Sequence, residues 1–185
     1  MPLKLNLGCG ARPKEGYVNV DKYGAPDVRH DLETFPWPWK DSSAKEVLLT
    51  HVLEHLGERT EVYLKIMQEL YRICEANAEI QIVVPHPRHD DFLNDPTHVR
   101  IITPDGLHLF SKSKNKEWAR SGYANTPLGL YLDVDFEVVR THYVLESEWD
   151  RKLSAKEMTE QEIMRAMGMY NNVVKEMQIV LKVIK

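Results

Sequence analysis

Lys4-Leu5-Asn6-Leu7-Gly8-Cys9-Gly10, followed by Val18-Asn19-Val20-Asp21, is the stretch on which the fold turns. The first apolar run closes on two near-adjacent glycines, the second on a carboxylate eleven residues after Gly10. Glycine lacks a Cβ, so a ligand can approach its backbone closely. A carboxylate offers two acceptor oxygens, enough for both hydroxyls of a ribose. A tight turn between strands would account for the glycines alone. The acid at the end of the second run points instead to a nucleoside. A dinucleotide fingerprint needs G-x-G-x-x-G opening a crossover helix, with its acid about 20 residues on. Here the third glycine is missing, Pro13 interrupts, and the ten residues between Gly10 and Asp21 leave no room for a full helix. NAD and FAD are disfavoured. A ligand with a ribose and no pyrophosphate fits.

The rest of the chain reads as one α/β unit. Short apolar runs lie near residues 3–8, 17–21 and 27–31, and Glu46 to His51 reads as a buried strand. Phe35-Pro36-Trp37-Pro38-Trp39 blocks regular structure, because two prolines fix φ and remove donors. Tyr63, Ile66, Met67, Leu70, Tyr71 and Cys74 share one face of a helix over 59–75, with Asn77 as its left-handed stop. Residues 79–85 form a strand, 86–102 a polar loop, and Thr103-Pro104-Asp105 the start of a short helix. Residues 111–131 read as irregular and 155–169 as helical. Strands over 136–145 and 177–184 close the chain, joined by a long connection. Seven strands interleaved with helices predict an α/β sheet.

Composition sets bounds. A chain of 185 residues makes a single domain, 1–185, with a proper core. The formal net charge of −4 gives no global basic field for nucleic acid. Cys9 and Cys74 sit in unrelated contexts, which suits a reducing compartment. Met1-Pro2-Leu3-Lys4 leads straight into a strand, and no apolar run approaches a membrane span. A cytoplasmic protein without membrane partners is expected.

Four blocks, in order and spacing, resemble the class I S-adenosylmethionine-dependent methyltransferases, most of all the small branch called methyltransferase type 11-like. They are Leu5 to Gly10, Gly16 to Asp21, Asp27-Val28-Arg29-His30-Asp31-Leu32, and His51-Val52-Leu53-Glu54-His55-Leu56. The resemblance runs over most of the chain and is strongest in the first 110 residues. It implies a Rossmann-like, mostly parallel seven-stranded sheet with helices on both faces and the last strand antiparallel. The first crossover helix is expected to be reduced. It implies a transferase that uses S-adenosylmethionine and releases S-adenosylhomocysteine. Leu7, Gly8, Cys9 and Gly10 would line the methionine end, Asp21 would hold the ribose, and Asp31 with Leu32 would meet the adenine. His51 would lie near the sulfonium. For Asp31 a helix cap or solvated turn is an equal reading.

Methyl transfer from a sulfonium is an in-line displacement from an activated donor, so alignment of the acceptor is the main task. A base helps when the acceptor must lose a proton, and histidine suits neutral pH. His98 is the preferred base and His86 the second, both in the loop after the fifth strand. His98 and Asp95 could equally tie that loop together. Residues 86–100 and 111–131 are expected on the acceptor side. A metal held by His86, His89, Asp90 and Asp91 is disfavoured by imperfect spacing, so no metal is assigned. His51-Val52-Leu53-Glu54-His55 matches H-x-x-E-H, a metal-dependent hydrolase pattern that needs a helix. That hydrolase and a non-catalytic S-adenosylmethionine-binding domain are the rival readings. The acceptor is expected to be a small molecule, since no N-P-P-Y-type segment follows the fourth strand.

Overall fold

The computed structural model describes residues 3–185, and Met1 and Pro2 lie outside the described residues. The strands are β1 (Leu3–Leu7), β2 (Val18–Asp21), β3 (Val28–Arg29), β4 (Ala44–Thr50), β5 (Cys74–Pro85), β6 (Phe136–Leu145) and β7 (Val174–Val183). They form one sheet in the order β3-β2-β1-β4-β5-β7-β6. The first five strands run parallel, and β7 is antiparallel to both β5 and β6. This is the mostly parallel, seven-stranded arrangement with an antiparallel last strand that the sequence leads one to expect. No helix forms between β1 and β2, where Pro13 and ten residues left no room for one.

The helices are α1 (Thr60–Ile73), α2 (Asp90–Leu93), α3 (Pro104–His108), α4 (Lys112–Ser121), α5 (Leu128–Tyr131), α6 (Ser147–Ser154) and α7 (Glu160–Met169). The apolar stripe of α1 packs on the sheet through Ile66, Met67, Leu70 and Ile73, all fully buried. They meet Leu5, Leu7, Val47, Leu49, Ile80 and Ile82 in one cluster. Each such side chain contributes about 1.5–3 kcal/mol through burial. Among the described residues no helix is long and apolar enough to cross a membrane.

Three sequence expectations need correction. Residues 111–131 are not irregular, because α4 and α5 occupy most of them. Helix α4 lacks an apolar stripe, so periodicity misses it. Local bonds define it instead: the Ser111 hydroxyl caps its start, Gly122 ends it at φ 75°, and buried Asn115 bonds Leu109 O and Leu130 N. The helix expected over 155–169 begins only at Glu160, as α7, and a separate helix, α6, precedes it at Ser147–Ser154. Asn77 is left-handed at φ 66°, but it lies inside β5 rather than at the end of α1. There β5 carries extra residues against β4: Ala44 pairs Cys74, while Glu46 already pairs Glu79.

The proline-rich segment is pinned by buried Glu69 and its partly buried ion-pair partner, Arg72. Glu69 Oε2 accepts from Trp37 N and from Arg72 Nη2, each at 2.7 Å. Arg72 also donates to the carbonyls of Trp37 and Trp39. Burial pushes the Glu69 carboxyl up, but the Arg72 pairing and the Trp37 amide outweigh it and hold the group below its ordinary 4.5. A carboxyl with a lowered folded-state pKa stabilises fully above its unfolded value. That contribution fades as pH falls through the folded value. Glu69→Gln should therefore cost about 1.5–3 kcal/mol at pH 7 and flatten the loss of stability below pH 4.5. Urea melts of both proteins across that range check it, and an acid limb equally steep in the variant would refute the assignment.

Candidate active site

The carboxyl ends of the parallel strands define the site. In an open α/β sheet a ligand lies outside these ends, where the strand order reverses. Here the order reverses between β1 and β4. A cleft of about 240 Å³ opens there, lined among others by Gly8, Asp21, Asp31, Leu32, His51 and His55. The sheet order places Asp31 after β3, Asp21 at the end of β2, Gly8 after β1 and His51 after β4. Four separate sequence blocks thus fall along one cleft, in spatial order.

Asp21 is held before any ligand arrives. Its Oδ2 accepts from Gly10 N and its Oδ1 from Tyr23 N, both at 2.8 Å. Each oxygen keeps a lone pair for a further donor. Gly10 therefore serves the site through its amide and does not line the cleft itself. Gly8 does line it, at φ 67°, with its missing Cβ facing Val52. Leu7 is fully buried beneath the turn. Cys9 is buried and faces a second cleft that Gly8, Asn6, Arg12 and Lys14 also line. Burial and the nearby Asp21 carboxylate raise its thiol pKa.

Asp31 accepts from Glu33 N at 3.0 Å and lies 3.5 Å from Lys22 Nζ, so it orders its own turn while facing the cleft. Leu32 is buried beside it and takes the Trp37 indole N–H on its carbonyl. Trp37 is thereby part of the core.

His51 stands at φ 54°, its Nε2 at 3.0 Å from Glu176 Oε2 and its Nδ1 at 3.4 Å from Glu54 Oε1. The Glu54 carboxylate 3.4 Å away raises its pKa, with burial opposing and Glu176 assisting. After His51 the chain makes a single 3-10 turn, Leu53–His55, and not an α-helix. The helical face that would let His51 and His55 share a hydrolase metal does not form.

The loop after β5 is clamped onto that turn, because Val99 N and Arg100 N both donate to Glu54 O. His98 is thereby brought against His55, with ring centroids 4.6 Å apart, and stacks on Phe92. Asp95 caps its turn by accepting from Thr97 N and Thr97 Oγ1. His98 borders the cleft behind His55 rather than lining it. His86 sits apart: its Nδ1 accepts from Arg88 N at 3.2 Å, and burial lowers its pKa. His89 Nδ1 accepts from Asp91 N, and its Nε2 lies 3.0 Å from Glu146 Oε2. Residues 111–131 do not line the cleft, although Thr126 and Leu128 line another one against α3.

The cleft also contains Lys22, Tyr23 and Glu33, which the sequence did not single out, and His30, Val52 and Leu56, which it gave only as members of the resembling blocks. Each is within a few residues of one that was named, and adjacency was the available signal. Tyr23, 71% exposed, offers an aromatic face at the cleft mouth.

No protein-family model and no curated protein sequence matches the chain. Solved structures do. A SAM-dependent methyltransferase from Archaeoglobus fulgidus superposes with a TM-score of 0.63 at 19% identity, covering 97% of this chain and 86% of that one. A SAM-dependent methyltransferase from Thermotoga maritima gives 0.54 at 13% identity, covering 99% and 82%. One from Methanosarcina mazei gives 0.52 at 12% identity, covering 97% and 91%. Identities this low speak to architecture, and the architecture is a class I S-adenosylmethionine-dependent methyltransferase-like fold.

Proposed function

We propose that the chain is an S-adenosylmethionine-dependent methyltransferase of the small type 11-like branch, acting on a small-molecule acceptor in the cytoplasm. The observation that carries this reading is the single cleft in which Asp31 and Leu32, Asp21, Gly8 and His51 follow one another across the strand ends. In it, Asp21 takes the ribose hydroxyls on its spare lone pairs, while Gly10 and Tyr23 hold the carboxylate in place. Leu7 and Cys9 support the glycine turn from below. Gly8 admits the methionine end beside His51. The acceptor lone pair forms a bond to the methyl carbon as the carbon–sulfur bond breaks, and the released pair stays on sulfur as S-adenosylhomocysteine forms.

Two histidines are the candidate bases for the acceptor, although neither lines the cleft itself. His98 Nδ1 donates to Phe92 O at 2.9 Å, which leaves Nε2 able to take a proton. His86 is the second candidate, and its Nδ1 lone pair is already engaged by Arg88 N. Two free, buried cysteines are consistent with a reducing compartment. Calorimetry with S-adenosylmethionine, S-adenosylhomocysteine and NAD tests the cofactor. Both adenosyl ligands should bind and NAD should not. Tighter binding of NAD than of either would sink the reading.

A further inference from the structure

The geometry points to a divalent metal site built by Glu54, His55 and His98 at the rim of the cleft, suited to zinc, cobalt or manganese. One ligand atom from each residue lies within 4.8 Å of the others. Metal–ligand bonds of about 2.0–2.1 Å put ligand atoms at most about 4 Å apart. Small side-chain rotations close that difference. One carboxylate with two imidazoles selects these ions over magnesium or calcium, which prefer all-oxygen sites.

Glu54 carries the argument. It is 1% exposed, and neither carboxylate oxygen has a hydrogen-bond partner. Buried carboxylates are normally paired, bonded or bound to metal. His51 Nδ1 lies 3.4 Å from Oε1, outside hydrogen-bond geometry. His51 is itself engaged by Glu176 through Nε2.

The two imidazoles are set up as ligands. His98 Nδ1 faces the Phe92 carbonyl, which can only accept, so Nδ1 carries the proton and Nε2 is bare. His55 Nδ1 lies 2.9 Å from Thr97 Oγ1 and 3.3 Å from Thr97 O. The Thr97 hydroxyl already donates to Asp95 Oδ1 at 2.6 Å, so it accepts from His55. His55 Nε2 is therefore bare as well. Metal-bound histidines are commonly oriented this way, donating the other N–H to a carbonyl or polar oxygen. Asp95 Oδ2 lies 3.8 Å from His98 Nε2, an anion that favours a cation there. One ligand atom from each of the three side chains thus lies near the other two, and neither Glu54 oxygen receives a hydrogen bond.

The site stands on this geometry alone. Its relation to methyl transfer rests on the proposed function: His55 lines the cleft, so open positions on the ion would face an acceptor oxygen. An ion on His98 Nε2 makes that residue a ligand instead of a proton acceptor.

The test is titration of the full-length, chelator-treated protein with Zn²⁺ and Co²⁺, in the absence of any adenosyl ligand. Saturable binding of a single equivalent is expected, with visible Co²⁺ absorption bands and a higher melting temperature under Zn²⁺. Glu54→Gln is nearly isosteric and should weaken binding by roughly 100-fold or more, as should the double variant His55→Gln/His98→Gln. Thr97→Val, which removes only the orienting hydroxyl, should weaken it roughly 10- to 100-fold. His142→Gln, on exposed β6, should bind as wild type. Circular dichroism melts confirm that each variant folds. No saturable binding, or wild-type affinity in both Glu54→Gln and the double variant, overturns the site and leaves His51 as the counter-charge of Glu54. Adenosyl-ligand calorimetry on the same proteins keeps the two proposals separate, since either binding can fail while the other persists.

Discussion

Asp21→Ala is expected to weaken S-adenosylmethionine binding by about 2–4 kcal/mol, roughly 30- to 1000-fold. Two contributions add. Hydrogen bonds from ribose hydroxyls to a charged acceptor contribute about 1.5–3 kcal/mol each. The same carboxylate also takes the amides of Gly10 and Tyr23, so its loss frees the glycine turn that shapes the methionine end. This second role changes the expectation for Asp21→Asn. Seen from sequence, the amide keeps an acceptor oxygen and looks mild. In the structure both carboxylate oxygens face backbone N–H donors, so whichever way the amide turns, its NH₂ meets one of them. Asp21→Asn should therefore bind nearly as poorly as Asp21→Ala. Calorimetry at one pH, beside thermal melts, checks both. If Asp21→Ala binds like wild type, Asp21 does not hold the ribose.

The parts legible in sequence share a physical cause. A buried parallel strand must be apolar and must end where its ligand-facing residue begins, so β1, β2 and β4 announce both themselves and the cleft. The α1 face was readable because its stripe is regular and its partners are all core. The antiparallel β7 came only through the family resemblance, since periodicity carries no information about strand direction. Helix α4 was hidden because its order comes from Ser111, Asn115 and Gly122 rather than from an apolar face. The convergence of Glu54, His55 and His98 was hidden for a different reason. His98 lies 43 residues beyond His55, and what joins them is two backbone hydrogen bonds onto Glu54 O. No local pattern encodes such a contact. The H-x-x-E-H match drew attention to the right segment but to a helix that does not form.

Gly8→Ala should cost about 2–5 kcal/mol of folding stability, and Gly10→Ala distinctly less. Both glycines lie in the left-handed region, at φ 67° and 51°, where an alanine costs about 1–2 kcal/mol. Their surroundings differ. A Cβ on Gly8 would stand 2.5 Å from Val52 Cγ2 and 2.7 Å from Cγ1, while a Cβ on Gly10 meets nothing within 4 Å. Val52 is buried and anchors the start of the 3-10 turn, so it cannot swing aside freely. Overpacking of this kind adds about 1–3 kcal/mol. The double variant Gly8→Ala/Val52→Ala removes the clash and keeps the backbone term, so the two substitutions should couple favourably by about 1–3 kcal/mol. Urea denaturation of the single and double variants measures this. Equal losses for Gly8→Ala and Gly10→Ala, or no coupling with Val52→Ala, would mean that the contact does not constrain the turn. The contrast also separates two reasons for a glycine. At Gly10 the backbone conformation alone requires it. At Gly8 the space a side chain would need already belongs to Val52, so the close approach that opens the cleft to a ligand begins as a packing contact between the turns that follow β1 and β4.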